Sequence, residues 1–199
     1  MAYAALADVR TYLGIATAET GDDTLITALI ARAQSIIDRY TGRKFEASAS
    51  TARYFERFAL DRSDRSLLLV DEDLLTVTEL KNGDDDETII SSSDYWLWPY
   101  NAVADGVPYW GIKLKDNATN DGWEFDTDGR VKVTGTWGYS ATAPDGIKHA
   151  TIRLAGYLYR QRDAQVFETT ADPVTGQMTI PPGMPKDVRL ILDGYKRLV

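Results

Sequence analysis

The sequence predicts an α+β fold, in which a helical bundle of about four helices carries an inserted small antiparallel β subdomain. Near both ends of the 199-residue chain, apolar residues recur every three or four positions, as on the buried side of a helix. Between residues 43 and 143 they recur every two positions or fall in short β-rich runs, and all five Trp lie there. We therefore assign residues 1–45 and 141–199 to the bundle and residues 46–140 to the β-rich insertion.

Two helices are predicted in the N-terminal part. A short helix over residues 8–13 ends at Gly14, because glycine readily takes the left-handed conformation found at helix ends. Asp22 and Asp23 supply a cap and a favourable negative charge at the start of a longer helix, which ends at Gly42. The apolar stripe of this longer helix consists of Leu25, Ile26, Leu29, Ile30, Ala33, Ile36, Ile37 and Tyr40.

Two more helices are predicted in the C-terminal part. The first begins at Pro144 and extends to about Arg162, since proline suits the first helical position. Its apolar surface is wider than one stripe, so we expect it to pack against more than one neighbour. The last helix begins at Pro185. Between the two helices, residues 164–184 are rich in Pro and Gly, which predicts a long irregular arm that is mobile or bound outside its own subunit.

The middle of the chain is predicted to form strands. Asn82-Gly83, followed by three Asp, is a strong hairpin-turn signal, and Asp128-Gly129 is another, because these residues tolerate a positive φ. The candidate strands are Thr51–Phe58, Leu67–Val70, Leu75–Lys81, Thr88–Ser91, Tyr95–Trp98, Gly111–Lys115 and Arg130–Trp137. Together they predict a small antiparallel sheet.

The composition excludes several classes of function. Thirty acidic and 22 basic residues give a net charge of −8, which argues against a general nucleic-acid-binding protein. The chain has no Cys and one His, so thiolate metal sites, Cys nucleophiles and sites with several imidazoles are excluded. The first residues, which include no basic run, predict no signal peptide, and no apolar stretch is long enough to span a membrane. We expect no catalytic site, no cofactor and no bound metal.

Two features could carry chemistry but have simpler explanations. The acidic run 84–87 could bind a divalent cation, yet it lacks the alternating spacing of a calcium loop and lies on a predicted turn. We therefore favour a solvated turn. His149 could be a general base, but the sequence indicates no nucleophile or partner for it, so we favour a structural or surface histidine.

An aromatic cluster leaves three interpretations open. Trp96 and Trp98 share one face of a predicted strand because side chains alternate along it, and Trp110 follows nearby. If buried, these residues are the core of the sheet. If exposed, they form a patch for a protein partner or a platform for sugars.

Both ends of the chain resemble a known family. The N-terminal part is similar to the opening of head–tail connector (adaptor) proteins of tailed bacteriophages, and a second block resembles a later part of the same family. The residues that carry the resemblance are Leu6-Ala7-Asp8-Val9, Tyr12-Leu13-Gly14, Asp22-Asp23, Leu25-Ile26, Leu29-Ile30-Ala31-Arg32-Ala33, Ile36 to Phe45, Val133 to Tyr139, Pro144, Ile147 to Ala150, Leu154, Tyr159-Arg160 and, in the last helix, Pro185, Val188, Leu192 and Tyr195. The order and spacing of these motifs carry the resemblance, which covers residues 46–130 only loosely.

The resemblance implies a structural virion protein without catalysis. Such proteins form a ring of about a dozen copies beneath the portal, extend the DNA channel and dock the tail or its stopper protein. It therefore implies a location in the virion neck, synthesis in the cytoplasm of the bacterial host, and DNA only as passing cargo. From the wide apolar face of the third helix, the arm and the last helix, our candidate contacts with other subunits or with the portal are Ile147, Leu154, Leu158, Tyr159, Val166, Phe167, Met178, Ile180, Ile191 and Tyr195.

The charge pattern is compatible with a DNA channel, and the aromatic cluster leaves a second function open. Residues 43–143 carry 19 acidic and 11 basic residues, so an acidic lumen that repels passing DNA is expected if these acids face the channel. The rival function is a carbohydrate-binding or surface-recognition module that uses the Trp and Tyr cluster.

Overall fold

The protein has five helices and seven strands in the part that the structure describes. The computed structural model describes residues 2–116, 122–126, 129–163, 170–171, 178–179 and 183–197. In chain order the elements are α1 (Leu6–Leu13), α2 (Asp23–Thr41), β1 (Thr51–Phe55), a 3-10 turn (Arg57–Ala59), β2 (Leu67–Lys81), β3 (Tyr95–Trp98), α3 (Ala102–Asp105), β4 (Tyr109–Leu114), β5 (Val131–Trp137), α4 (Asp145–Asp163), β6 (Thr170–Ala171), β7 (Met178–Thr179) and α5 (Lys186–Asp193). This confirms the predicted mixed α+β class.

The chain divides into two compact units. Met1–Arg43 and Ala143–Val199 together form the first, which we call the helical unit, and Lys44–Thr142 form the second, the β unit. In the helical unit α4 contacts α1, α2 and α5, as its wide apolar surface predicts. The core of this unit includes Val9, Ile26, Ile30, Ala33, Ile37, Ile147, Ala150, Leu154, Ala155, Val188 and Leu192.

Helices α1 and α2 end where glycine allows it. Gly14 has φ 75° and Gly42 has φ 68°, and the backbone N–H of Gly42 donates to the Asp38 carbonyl oxygen. Both residues are therefore in the left-handed conformation, which is unfavourable for residues that have a Cβ. The predicted ends of these helices are confirmed.

Asp22 does not cap α2 with its side chain, although it occupies the capping position. Its carboxylate instead accepts hydrogen bonds from the Tyr159 hydroxyl and from Arg162, both in α4, the latter at 3.2 Å. These two donors hold the pKa of Asp22 below its usual range, and Tyr159 contributes most. The acid expected to start a helix thus links two helices that are distant in sequence.

The β unit is built on a five-stranded antiparallel sheet in the order β1-β5-β2-β4-β3. Two strands were predicted over residues 67–81, but the structure has one, β2, with register shifts after Leu69, Leu74 and Val77. These shifts are bulges that let one strand pair with β4 along its first part and with β5 along its second. The buried core of the sheet consists of Phe55, Leu60, Leu68, Val70, Leu74, Leu80, Ile90, Ile112, Leu114, Val131, Val133 and Trp137.

The predicted strand Thr88–Ser91 is reduced to a single bridge between Lys81 and Ile89. The chain does reverse direction after Asn82, whose N–H donates to the Thr88 carbonyl oxygen at 2.8 Å. However, the buried Asn82 side chain also bonds to the backbone of Gly122 and Glu124, at 3.2 and 2.9 Å. Its role is therefore to hold a distant segment as well as to begin a turn.

Residues 164–184, predicted as an irregular arm, lie largely outside the described residues. Within them β6 and β7 form a short antiparallel pair that the sequence did not predict, with Thr170 opposite Thr179. Helix α3 was not predicted either. It is a single turn between β3 and β4 that ends at Gly106, with φ 64°.

Candidate interaction surfaces

An exposed aromatic cluster lies on the edge strand β3 and its neighbour β4. We call Trp96, Trp98, Tyr100 and Trp110 the aromatic patch. Tyr100 packs edge-on against Trp96 and Trp98, with ring centroids 5.0 and 4.6 Å apart, and Trp98 packs edge-on against Trp110 at 6.3 Å. Trp96, Tyr100 and Trp110 are 46%, 48% and 41% exposed. The structure therefore excludes these residues from the core.

The alternation of side chains along β3 produces this exposure. Tyr95 and Leu97 pack against the core of the sheet, so Trp96 and Trp98 project from its other face. Two lysine ammonium groups cover part of the indole faces: Lys115 lies 5.0 Å from the ring of Trp96 and Lys113 lies 5.8 Å from that of Trp98.

One of these lysines is held by an acidic residue. The Lys113 ammonium donates to Asp64 at 2.7 Å. This bond, with bonds from the Ser66 hydroxyl and backbone, lowers the pKa of Asp64 to about 2. The carboxylate therefore stays ionised at neutral pH and anchors the cation beside the aromatic patch.

We expect an NMR titration to show the Asp64 carboxyl changing its protonation with a midpoint near pH 2. Because the folded pKa is below the unfolded value near 3.8, Asp64 stabilises the fold above about pH 4. That contribution is lost as the pH falls from about 4 to about 2. In a Lys113→Ala variant the midpoint should move upward, because the main cause of the shift is removed. An unchanged midpoint in that variant would contradict this assignment.

In the helical unit, two of the candidate contacts are core residues. Ile147 and Leu154 in α4 have no exposed surface. Because they are enclosed by the unit's own helices, they are not open to a second protein, and their assignment to an interface is corrected.

The other candidate contacts in the described part of the helical unit are half-buried. They are Leu158 and Tyr159 in α4, and Ile191 and Tyr195 in or just after α5. Ile191 and Tyr195 pack against the start of α4. A Cβ at Gly146 would lie 3.1 Å from the Tyr195 hydroxyl and 3.6 Å from the Ile191 side chain. Val166, Phe167 and Ile180 lie outside the described residues, and only the backbone of Met178 is described, in β7.

Sequence reasoning missed one exposed apolar residue in this unit. Leu190 in α5 is 77% exposed, beside the half-buried Ile191. The signal was available, because Leu190 falls off the face of α5 that Val188 and Leu192 bury.

A basic cleft also escaped the sequence analysis. It has a volume of about 750 Å³ and lies between α2 and the C-terminal residues. Its lining consists of Arg32, Ser35, Ile36, Arg39, Tyr40, Gly183 and Lys196. Beside it the Tyr40 hydroxyl donates to Asp193 at 2.6 Å and accepts from Arg189 at 3.1 Å, and the Lys196 ammonium lies 4.2 Å from the Tyr40 ring.

The acidic run 84–87 and His149 were the two other candidates for chemistry. Within the described ranges no three His, Asp or Glu side chains come together as metal ligands. His149 is exposed on α4. No helix in the described part of the chain has both the length and the apolar character needed to cross a membrane.

The fold of this chain is similar to those of chains in solved structures of gene transfer agent (GTA) particles. No curated protein sequence matches this chain. Among solved structures, the neck of an empty GTA particle computed with C6 symmetry matches with a TM-score of 0.65 and 17% identity, covering 99% of this chain and 91% of that chain. The neck of a native GTA particle computed with C12 symmetry matches with a TM-score of 0.60 and 18% identity, covering 98% of this chain and 88% of that chain. The virion of a native gene transfer agent (GTA) particle matches with a TM-score of 0.60 and 17% identity, covering 99% of this chain and 91% of that chain.

These identities are low, so the structural matches show a shared fold. The family model described as "Head completion protein" matches residues 4–198, nearly the whole sequence. The resemblance to head–tail connector proteins is thereby confirmed, and the chain belongs to the head completion protein family.

Proposed function

We propose that this protein is a structural component of the virion neck, where copies form a ring that joins the portal to the tail and extends the DNA channel. The observation that carries the proposal is the family match over residues 4–198. A fold shared with chains from GTA necks, which were computed with C6 and C12 symmetry, supports it. This role needs no catalysis and no cofactor.

The two units differ in charge, and we assign a different role to each of them. The helical unit has 12 basic and 11 acidic residues, whereas the β unit has 10 basic and 19 acidic residues, a formal net charge of −9. We propose that acids of the β unit line part of the channel, because an acidic wall repels phosphate and lets DNA slide. A ring whose lumen proved strongly basic would contradict this.

The helical unit is the proposed portal-binding part. Its half-buried Leu158, Tyr159, Ile191 and Tyr195 leave some apolar surface accessible, and Leu190 adds more. The arm predicted over residues 164–184 remains a candidate for the same contact.

Mass measurement by light scattering tests the ring directly. The chain should assemble into particles of several copies when mixed with the portal protein of the same virion, and negative-stain images should show rings. A chain that stays monomeric alone and with the portal would contradict the proposal.

The aromatic patch is the proposed docking surface for the tail or stopper protein. Exposed Trp and Tyr side chains are common at the centres of protein interfaces. The lysines over Trp96 and Trp98 occupy part of the ring faces that a sugar would stack on. This favours a protein partner over the carbohydrate-binding alternative, and a glycan titration followed by Trp fluorescence should give no saturable change.

Replacing Trp96 and Trp110 by alanine should weaken docking of the tail or stopper protein by about 30-fold or more, the effect of losing an interface hot spot. Binding can be measured by calorimetry or surface capture. Phe58→Ala is the matched control, since Phe58 is an 84% exposed aromatic in the 3-10 turn Arg57–Ala59, outside the aromatic patch. Equal losses in both variants, or none in the first, would contradict the assignment.

A further inference from the structure

The basic cleft presents cations that the described part of the chain leaves without acidic partners. Arg32 and Arg39 are both exposed and lie seven residues apart on α2, so they share one face of the helix. Neither makes an ion pair with any described residue, whereas Lys196 at the same cleft pairs with Asp193 at 3.2 Å. The cleft is therefore suited to an incoming anion.

The cleft is an open surface depression with a volume of about 750 Å³. It has room for a group larger than a small anion, such as the tip of a loop. Its lining combines cations with the Ser35 hydroxyl and the apolar side chain of Ile36. A peptide carrying carboxylates matches this mixture, because it offers both charges and carbon atoms.

The β unit carries a loop that is rich in carboxylates. Residues 84–87 form an acidic loop in which Asp85, Asp86 and Glu87 are exposed. Asp85 and Asp86 make no ion pair with any other described residue. The loop is held in shape from both sides: Asp84 accepts from the Thr88 N–H at 2.7 Å, and Glu87 pairs with Lys81 at 2.8 Å. It is thus already ordered, so binding costs little conformational entropy.

We propose that the acidic loop of one copy docks into the basic cleft of the next copy. The charges of the two units favour this pairing, because a β unit of net charge −9 meets a cleft lined by three cationic side chains. The loop and the cleft are different surfaces, so the contact is head-to-tail, and such contacts generate closed rings when the rotation between copies closes. The inference rests on the proposed ring.

Cysteine cross-linking tests the contact, and the absence of native Cys removes background. A Ser35→Cys chain is mixed with a size-tagged Asp85→Cys chain in the presence of the portal protein and then oxidised. Each chain carries one thiol, so a bond between the two forms only across copies. We expect the mixed dimer to exceed that formed with Thr24→Cys, an exposed control on α2 outside the cleft, by about tenfold.

The outcomes separate the two proposals. Rings in negative stain without cross-linking above the control would overturn the inference and leave the ring intact. A chain that forms no ring under any condition would overturn both.

A charge exchange provides the second test. Arg32→Glu with Arg39→Glu should weaken self-association at least about tenfold at low salt, and Asp85→Lys with Asp86→Lys should do the same. A chain carrying all four changes should recover assembly, and the differences should shrink at 1 M salt. If the Arg variant instead loses DNA binding and the four changes restore nothing, the cleft serves phosphate and the inference is wrong.

Discussion

Replacing Trp137 by alanine is expected to lower the free energy of unfolding by about 3–5 kcal/mol, the usual cost of removing a buried Trp. Trp137 in β5 is 1% exposed and packs in the core of the sheet, with its ring 6.1 Å from that of Phe55. Its indole N–H donates to the Thr51 carbonyl oxygen at 3.0 Å, and the Arg53 guanidinium lies 4.7 Å from its ring. Alanine would leave a cavity and remove the hydrogen bond to the Thr51 carbonyl oxygen.

The measurement is denaturant unfolding followed by far-ultraviolet circular dichroism, which does not depend on the number of Trp residues. Trp96→Ala is the matched control, since that side chain is 46% exposed at the edge of the sheet. We expect it to cost less than about 1 kcal/mol. Equal losses in the two variants would mean that the described core is not where the stability of the β unit lies.

These two Trp illustrate what the sequence could predict. The strands that contain Trp96 and Trp137 were both predicted, from alternation and β-rich composition. The sequence did not decide which Trp is buried, because period two gives two faces without saying which of them meets the core. That depends on the order of strands in the sheet, which places β3 at an edge and β5 between β1 and β2.

The helical unit shows the same division between local and long-range information. Helix α2 has the predicted bounds, Asp23–Thr41, because apolar spacing and a terminal glycine act within a few residues. The partners of Asp22 in α4 could not be predicted, since they are about 140 residues away. The spacing of Arg32 and Arg39 was visible in the sequence, but the cleft exists only because Lys196 and Gly183 come to lie beside them.

Replacing Gly135 by alanine is expected to destabilise the β unit by about 3 kcal/mol, at the upper end of the usual cost of overpacking. Gly135 lies in β5, paired with Val77 on one side and Thr51 on the other. A Cβ there would lie 2.0 Å from the Thr76 carbonyl oxygen, a backbone atom of β2. Because β2 is bulged at this point and pairs with β5 on both sides of the bulges, at Leu74 and again from Glu79 to Lys81, it cannot move away without losing hydrogen bonds to β5.

Gly21→Ala separates this steric effect from the general effect of replacing glycine. A Cβ at Gly21 meets nothing within 4 Å, and its φ is not positive. We expect that variant to change stability by less than about 0.5 kcal/mol, or to increase it slightly by restricting the unfolded chain. Thermal unfolding followed by far-ultraviolet circular dichroism reports on both units, so it registers Gly21→Ala in the helical unit as well as Gly135→Ala in the β unit. If Gly135→Ala unfolds at the same temperature as Gly21→Ala, the close approach of β5 to β2 at Thr76 is wrong.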